Sequence, residues 1–205
     1  MSQLVRAAAV ATLIVGVVCQ FVQTTDTTFP LLYFTVCSAV LLAGALVVTL
    51  VRPGVRYLDA VRGAATAGVV LSGLIFATVL APVNNGGAWF APHDDIWVRA
   101  ANVLLHGVGP ALAIVDLSLN PLAAAPRPWR TATGWCLWPL AWVAVALPLD
   151  LTGTAEVPYE FLRIRGAADV PLVLGAMLGL FCLVVLIGRA LLVVSKAEVS
   201  RTAIR

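Results

Sequence analysis

Charge is what this chain has least of. Lys, Arg, Asp and Glu together make up 11% of its 205 residues, where a soluble domain of this size carries about a quarter. The mean hydropathy is +0.99. A second, soluble domain has no room. The net charge of +3 is small and scattered, which excludes the clustered basic face that nucleic-acid binding needs. Cysteine is scarce as well. Cys19, Cys37, Cys136 and Cys182 all fall in apolar runs and form no CxxC pair. They are expected as buried free thiols, not as a disulfide framework or metal site. No G-x-S-x-G elbow, H-E-x-x-H, P-loop or dinucleotide fingerprint is present. Any enzyme active site must therefore be built within or just above a membrane, and no cofactor is called for. Apolar runs are continuous, without the alternation of a membrane β-barrel.

What remains is length and hydrophobicity. Six windows reach the roughly 20 apolar residues that cross a bilayer: about 4–22, 30–51, 58–81, 99–119, 131–150 and 168–194. The expectation is an all-α bundle of six transmembrane helices in one domain, residues 1–205. Arg6 precedes the first apolar stretch, but no A-x-A site follows it, so that stretch is read as a retained span. Ten of the thirteen basic residues fall at the ends that share a side with the N-terminus; only Arg99, Arg163 and Arg165 fall on the other. By the positive-inside rule both termini are expected in the cytoplasm.

Two outer loops are long. Pro82–Val98 carries Asn84-Asn85-Gly86-Gly87, Trp89, Phe90 and Trp97; Asp150–Ala167 carries Pro158, Tyr159 and Phe161. They are expected either to anchor at the interface as an aromatic belt or to cover a site opening toward the outer leaflet. Gly175 and Gly179 form a GxxxG pair and Ala39 and Ala43 a small-xxx-small pair, both devices for close helix approach. His93-Asp94-Asp95 is too poor a ligand set for zinc.

Ionisable groups in hydrocarbon are costly, and those that occur are by default candidates for function. His106 lies in the fourth run, with Asn102 one turn before it and Asp116 near its far end. Span two enters from the outer side, which puts Thr35 roughly 8 Å down; span four puts His106 roughly 10 Å down, at ~1.5 Å per residue. If the spans are neighbours, a hydroxyl and an imidazole stand level. That is the minimal pairing of nucleophile and general base. Asn102 would orient the ring or donate to an oxyanion, and Ser38 sits one turn below Thr35 on the same face. Each has a plainer reading. Thr and Ser in membrane helices usually bond their own i−4 carbonyl, Asn102 can join helices, and His106 can be satisfied by a neighbouring helix. Pro110 is expected to kink span four, and Asp116 to meet Arg127, Arg130 or water. A proton relay from His106 to Asp116 would have to cross ~15 Å of helical rise.

Three segments in order resemble one family. Tyr33-Phe34-Thr35-Val36-Cys37-Ser38 is similar to the aromatic-Thr segment in span two of the androgen-induced protein family. Asn102-Val-Leu-Leu-His106 with Pro110 is similar to its Asn-x-x-x-His segment, and Val157-Pro-Tyr-Glu-Phe-Leu162 to its Tyr-Pro-x-Phe-Leu segment. The resemblance spans helices two to six. It implies an intramembrane hydrolase of fatty acid esters of hydroxy fatty acids, with Thr35 as nucleophile and His106 as catalytic histidine. The family's many bacterial six-helix members imply a bacterial plasma-membrane location. Three positions depart from its pattern: Ala39 where bacterial members tend to have Asn, Glu160 where a second proline is common, and Arg163 where an acid is usual. The alternative is a non-catalytic membrane protein that binds a lipid, a small apolar ligand or a partner protein.

Overall fold

The computed structural model describes residues 1–52, 54–55, 57–84, 95–122 and 127–202. Among them there is no strand, and six helices are long and apolar enough to cross a membrane: α1 (Ser2–Val22), α2 (Phe34–Val51), α3 (Leu58–Leu80), α4 (Ile96–Leu119), α5 (Pro128–Leu151) and α6 (Val170–Thr202). The expected windows reappear with edges shifted by a few residues. The largest shift is in span two, where Pro30–Leu32 is a separate 3-10 turn. Tyr33 is extended there, with ψ of 123°, and α2 begins only at Phe34. Arg56, Asn85, Gly86, Gly87, Trp89, Phe90, His93, Asp94 and Arg205 lie outside the described residues.

Helix α2 packs between α1 and α3; α4 packs on α1 and α3, and α6 on α3, α4 and α5. One apolar cluster joins α1, α2, α3 and α4 through Leu13, Leu42, Leu46, Val69 and Leu105. A second joins α3, α5 and α6 to the chain between α5 and α6, through Leu71, Trp135, Trp142, Tyr159 and Val184. Ala39 and Ala43 are buried at a helix seam, as their spacing predicts. The GxxxG pair behaves otherwise. A Cβ on Gly175 or Gly179 would meet nothing within 4 Å, whereas one on Gly188 would come 3.0 Å from the Trp135 ring. The glycine that brings α6 against its neighbour is thus Gly188. Its GxxxG face points away from the bundle. The cysteines are all free; Cys19 and Cys136 are buried, Cys37 is half-buried, and Cys182 is exposed on the outer face of α6.

Both chain ends fall at one end of the bundle, where a buried charge network replaces the expected pairing of Asp116 with Arg127 or Arg130. Asp116 accepts from Arg6 Nε at 3.0 Å and from Arg62 at 3.3 Å. Its Oδ1 also accepts from the Asn120 amide at 2.9 Å. Arg62 reaches Asp59 at 3.1 Å and the Asn120 carbonyl at 3.0 Å. Three helices α1, α3 and α4 are thereby tied together in a region too dry to leave a charge unpaired. Arg6 and Arg62, expected as topology signals, are also structural.

Candidate functional site

Two prolines shape the helices that hold the site. Proline has no N–H and its ring clashes with the carbonyl four residues earlier, so a helix must open to admit it. In α4 the turn Leu104–Val108, just before Gly109-Pro110, widens to π geometry, and Gly109 N–H bonds the carbonyl of Leu104. In α3 the turn Phe76–Leu80, just before Ala81-Pro82, does the same. Span four therefore widens in the turn before Pro110, the proline at which a kink was expected. Such π turns re-aim side chains and recur at functional sites. The two lie side by side: a Cβ on Gly73 would come 2.7 Å from the His106 carbonyl and 3.0 Å from Pro110. Only a glycine on α3 lets the widened turn of α4 approach this closely.

The result is a fixed imidazole. The His106 ring stacks on Phe76 with centroids 4.2 Å apart and planes 10° from parallel. Its Nδ1 is 3.3 Å from the carbonyl oxygen of Ser72. A carbonyl only accepts, so Nδ1 carries the proton and Nε2 keeps its lone pair. A neutral histidine with an available base nitrogen is what a general base requires.

Thr35 stands in the first turn of α2, where backbone N–H groups have no partner within the helix. No side chain of its own segment caps α2. The cap comes from Tyr159, 125 residues away, whose phenol oxygen accepts the Phe34 N–H at 3.1 Å. The backbone and side chain of Thr35 also bond this phenol, whose pKa is pushed up to about 12, chiefly by burial. Tyr159 lies in the segment between α5 and α6, so that loop turns into the bundle and covers the site. Tyr33 and Trp142 pack edge-on against it, and Phe34 in turn packs edge-on against Trp142. The belt reading does not describe Tyr159, which is 8% exposed.

Thr35, Asn102, His106 and Tyr159 line one cavity of about 230 Å³ at the end of the bundle opposite the termini, together with Gln20, Asp26, Tyr33 and Phe76. A second, smaller hollow of about 60 Å³ begins at the same threonine and is lined almost wholly by apolar residues, among them Phe34, Leu71, Trp142 and Leu180. Thr35, Leu80 and Tyr159 border both. Thr35 and His106 thus face one space, although no hydrogen bond joins them among the described residues. Asn102 borders the same cavity. Ser38 does not line it: the side chain is fully buried and accepts from Trp138 Nε1 at 2.9 Å. Asp95, from the weak metal pattern, instead caps α4 through Trp97 N–H at 2.8 Å and takes Thr24 N–H and the Thr25 hydroxyl. It thereby pins the α1–α2 loop at the cavity mouth. Although slight desolvation opposes it, these donors hold the Asp95 carboxyl below its ordinary pKa.

Tyr159, Tyr33, Phe76 and Asp26 are the residues that sequence spacing alone leaves out of the site. The recurring pattern of a five-residue apolar turn, a small residue and a proline (Phe76–Pro82 and Leu104–Pro110) is the signal that marks the two widened turns.

These features define the class: an all-α, polytopic membrane protein whose six-helix bundle holds two neighbouring hollows that share Thr35, Leu80 and Tyr159 as wall residues. Comparison of the chain with protein-family models, curated proteins and solved structures gave no match.

Proposed function

We propose that the protein is an integral-membrane hydrolase of fatty acyl esters, as the resemblance to the androgen-induced protein family implies. One observation carries the reading: a polar cavity and an apolar hollow meet at Thr35. An amphiphilic ester placed across that junction would lay its acyl chain along Phe34, Leu71 and Trp142, with its alcohol portion beside Asn102 and His106. Its carbonyl would then sit at the threonine.

In the proposed reaction His106 Nε2 takes the Thr35 proton while Thr35 Oγ attacks the carbonyl carbon. The hydroxyl and the imidazole have no direct bond, so the proton passes through one cavity water or after rotation of the threonine. Tyr159 already accepts Phe34 N–H, and its own proton is then free to meet Thr35 Oγ, which orients the threonine's lone pairs. In this reading the Asn102 amide donates to the oxyanion. Return of the proton from His106 releases the alcohol, and water attack on the acyl-threonine, again with His106 as base, releases the fatty acid. The expected location is a bacterial plasma membrane.

Purified protein and its Thr35→Ala and His106→Ala variants, assayed on fluorogenic acyl esters in detergent, test this. Each substitution is expected to lower the rate by about 10²–10⁴-fold, with the thermal unfolding midpoint unchanged. Full activity in either variant refutes the mechanism. A second reading, non-catalytic binding of a lipid or apolar ligand, is favoured by the Thr35–Tyr159 contact, which occupies the hydroxyl in the absence of His106. It predicts no labelling of Thr35 by a fluorophosphonate probe.

A further inference from the structure

The polar arm of the cavity has a carboxylate and no cation to match it. Asp26 lines it with Gln20, Thr25 and Asn102, and no Lys or Arg is among the lining residues. Among the described residues Asp26 has no ion pair. Its oxygens take neutral donors, Thr28 N–H at 2.9 Å and the Tyr33 hydroxyl. The Tyr33 phenol is held well above its ordinary pKa, first by burial and then by that hydrogen bond to Asp26. The phenol therefore keeps its proton and acts as a donor to Asp26.

Three aromatic side chains share the cavity wall with this carboxylate. Tyr33, Phe76 and Tyr159 all border it, and Tyr33 meets Tyr159 edge to face at 6.3 Å. Ring faces beside a carboxylate attract a desolvated cation, above all a quaternary ammonium. The nearby arginines of this end do not counter the charge. Arg163 is taken up by Asp150, Glu156 and Glu160, and Arg165 by Glu160. Arg99 is not among the lining residues.

We infer that the polar arm selects amphiphiles with a cationic head, such as a quaternary ammonium, and discriminates against those with a carboxylate head. This rests on reading the cavity as the place where an amphiphilic ester lies, and it sets the alcohol portion of that ester apart from the carboxylate-bearing hydroxy fatty acid that the resemblance implies. A free carboxylate there would face Asp26 with no compensating cation, whereas an ammonium would gain both the carboxylate and the rings.

The test uses three dodecyl ethers that differ only in the head: 2-(dodecyloxy)ethyl-trimethylammonium, 2-(dodecyloxy)ethanol and dodecyloxyacetate. Ethers are not hydrolysed, so the outcome is independent of Thr35 chemistry. Binding is measured by titration calorimetry on the wild-type protein in an uncharged maltoside micelle. The trimethylammonium ether is expected to bind about tenfold tighter than the carboxylate, with the alcohol between them. Asp26→Asn, which keeps an acceptor for Thr28 N–H, is expected to bring the charged pair within about twofold. Gln20→Lys, which places a cation in the same arm, is expected to reverse the order. Asp169→Asn, an acid of the same end outside the cavity that among the described residues bonds only backbone N–H groups, is expected to leave it unchanged. Equal or tighter binding of the carboxylate ether, an unchanged ratio in both Asp26→Asn and Gln20→Lys, or no binding of any ether overturns the inference. Should Thr35→Ala retain full esterase activity while the ether order holds, the catalytic reading fails and this one stands.

Discussion

Replacing Asp116 by asparagine removes one negative charge from a site that holds two guanidinium groups away from water. Arg6, Arg62 and Asp116 are 7%, 4% and 2% exposed. The carboxylate binds each arginine through a separate oxygen, at 3.0 and 3.3 Å, and Oδ1 takes the Asn120 amide as well. Asparagine keeps one acceptor oxygen, and its NH₂ would point a donor at a donor. Asp59 partly offsets Arg62, since the two are 3.1 Å apart, but at 40% exposure that carboxylate is largely hydrated. Arg6 loses the one carboxylate it pairs with among the described residues. Removing one partner of a buried pair costs about 3–5 kcal/mol, because the other charge stays buried. Asp116→Asn is therefore expected to lower stability by about that amount, read from unfolding in mixed maltoside–dodecyl sulfate micelles by tryptophan fluorescence.

The same reasoning fixes a control. Attraction within a buried ion network is largely offset by the desolvation of its members, so exchange of all three for apolar residues of similar size is commonly neutral or stabilising. The triple variant Arg6→Met, Arg62→Met, Asp116→Leu is expected to unfold at the wild-type detergent fraction or above it. A loss below about 1 kcal/mol in Asp116→Asn would show that the arginines reach water when unpaired. A triple variant as unstable as the single one would show that the network's hydrogen bonds, not its uncompensated charge, hold α1, α3 and α4 together. Either result refutes the argument.

Gly63→Ala puts a methyl group 2.1 Å from Cζ2 of Trp135, a ring that is 3% exposed and cannot retreat. The expected loss is about 1–3 kcal/mol, against no loss for Gly44→Ala, whose Cβ meets nothing within 4 Å; the same micellar unfolding assay measures both. Alkaline pH should act through Tyr159, whose folded pKa of about 12 lies above the ordinary value near 10. A raised folded pKa contributes stability that is fully present below about pH 10 and is lost as pH rises toward about 12. Tyr159→Phe is expected to flatten the decline of the unfolding midpoint over that window. It should also start about 1–3 kcal/mol lower, since Phe34 N–H loses its acceptor; an unchanged alkaline slope would refute the assignment.

The sequence reveals the helices and half of the site for one reason: both depend on order along a single span. Continuous hydrophobicity sets the six helices, and helical rise brings Thr35 and His106 to similar depth. The N-terminus of α2 shows the limit of depth bookkeeping, because Pro30–Leu32 forms its own turn and leaves Thr35 at a helix end. That position is what exposes its backbone N–H to Tyr159. Partners of long sequence separation are set by packing, and no local pattern encodes them. Arg6 finds Asp116 across 110 residues, and Phe34 finds Tyr159 across 125. An arginine at a helix start reads the same whether it marks topology or closes an ion network, and a GxxxG reads the same whether its face is inside or outside.

The departures of the α5–α6 segment from the family pattern have a shared physical basis. Glu160 and Arg163, two of the three unusual residues, bond each other at 2.9 Å, and Arg163 also reaches Asp150 and Glu156. An acid placed one turn before a base preserves the ion pair that a base-free version of the loop could not make. Asp150 in turn accepts Val157 N–H at 2.9 Å, which fixes the chain just before Pro158 and Tyr159. The two substitutions thus act at the base of the loop. They help hold the segment from which Tyr159 enters the bundle, and Arg163 is paired there with Asp150, Glu156 and Glu160. The loop that departs most from the pattern is therefore the one that supplies the cap on Thr35 and leaves Asp26 as the uncompensated charge of the polar arm.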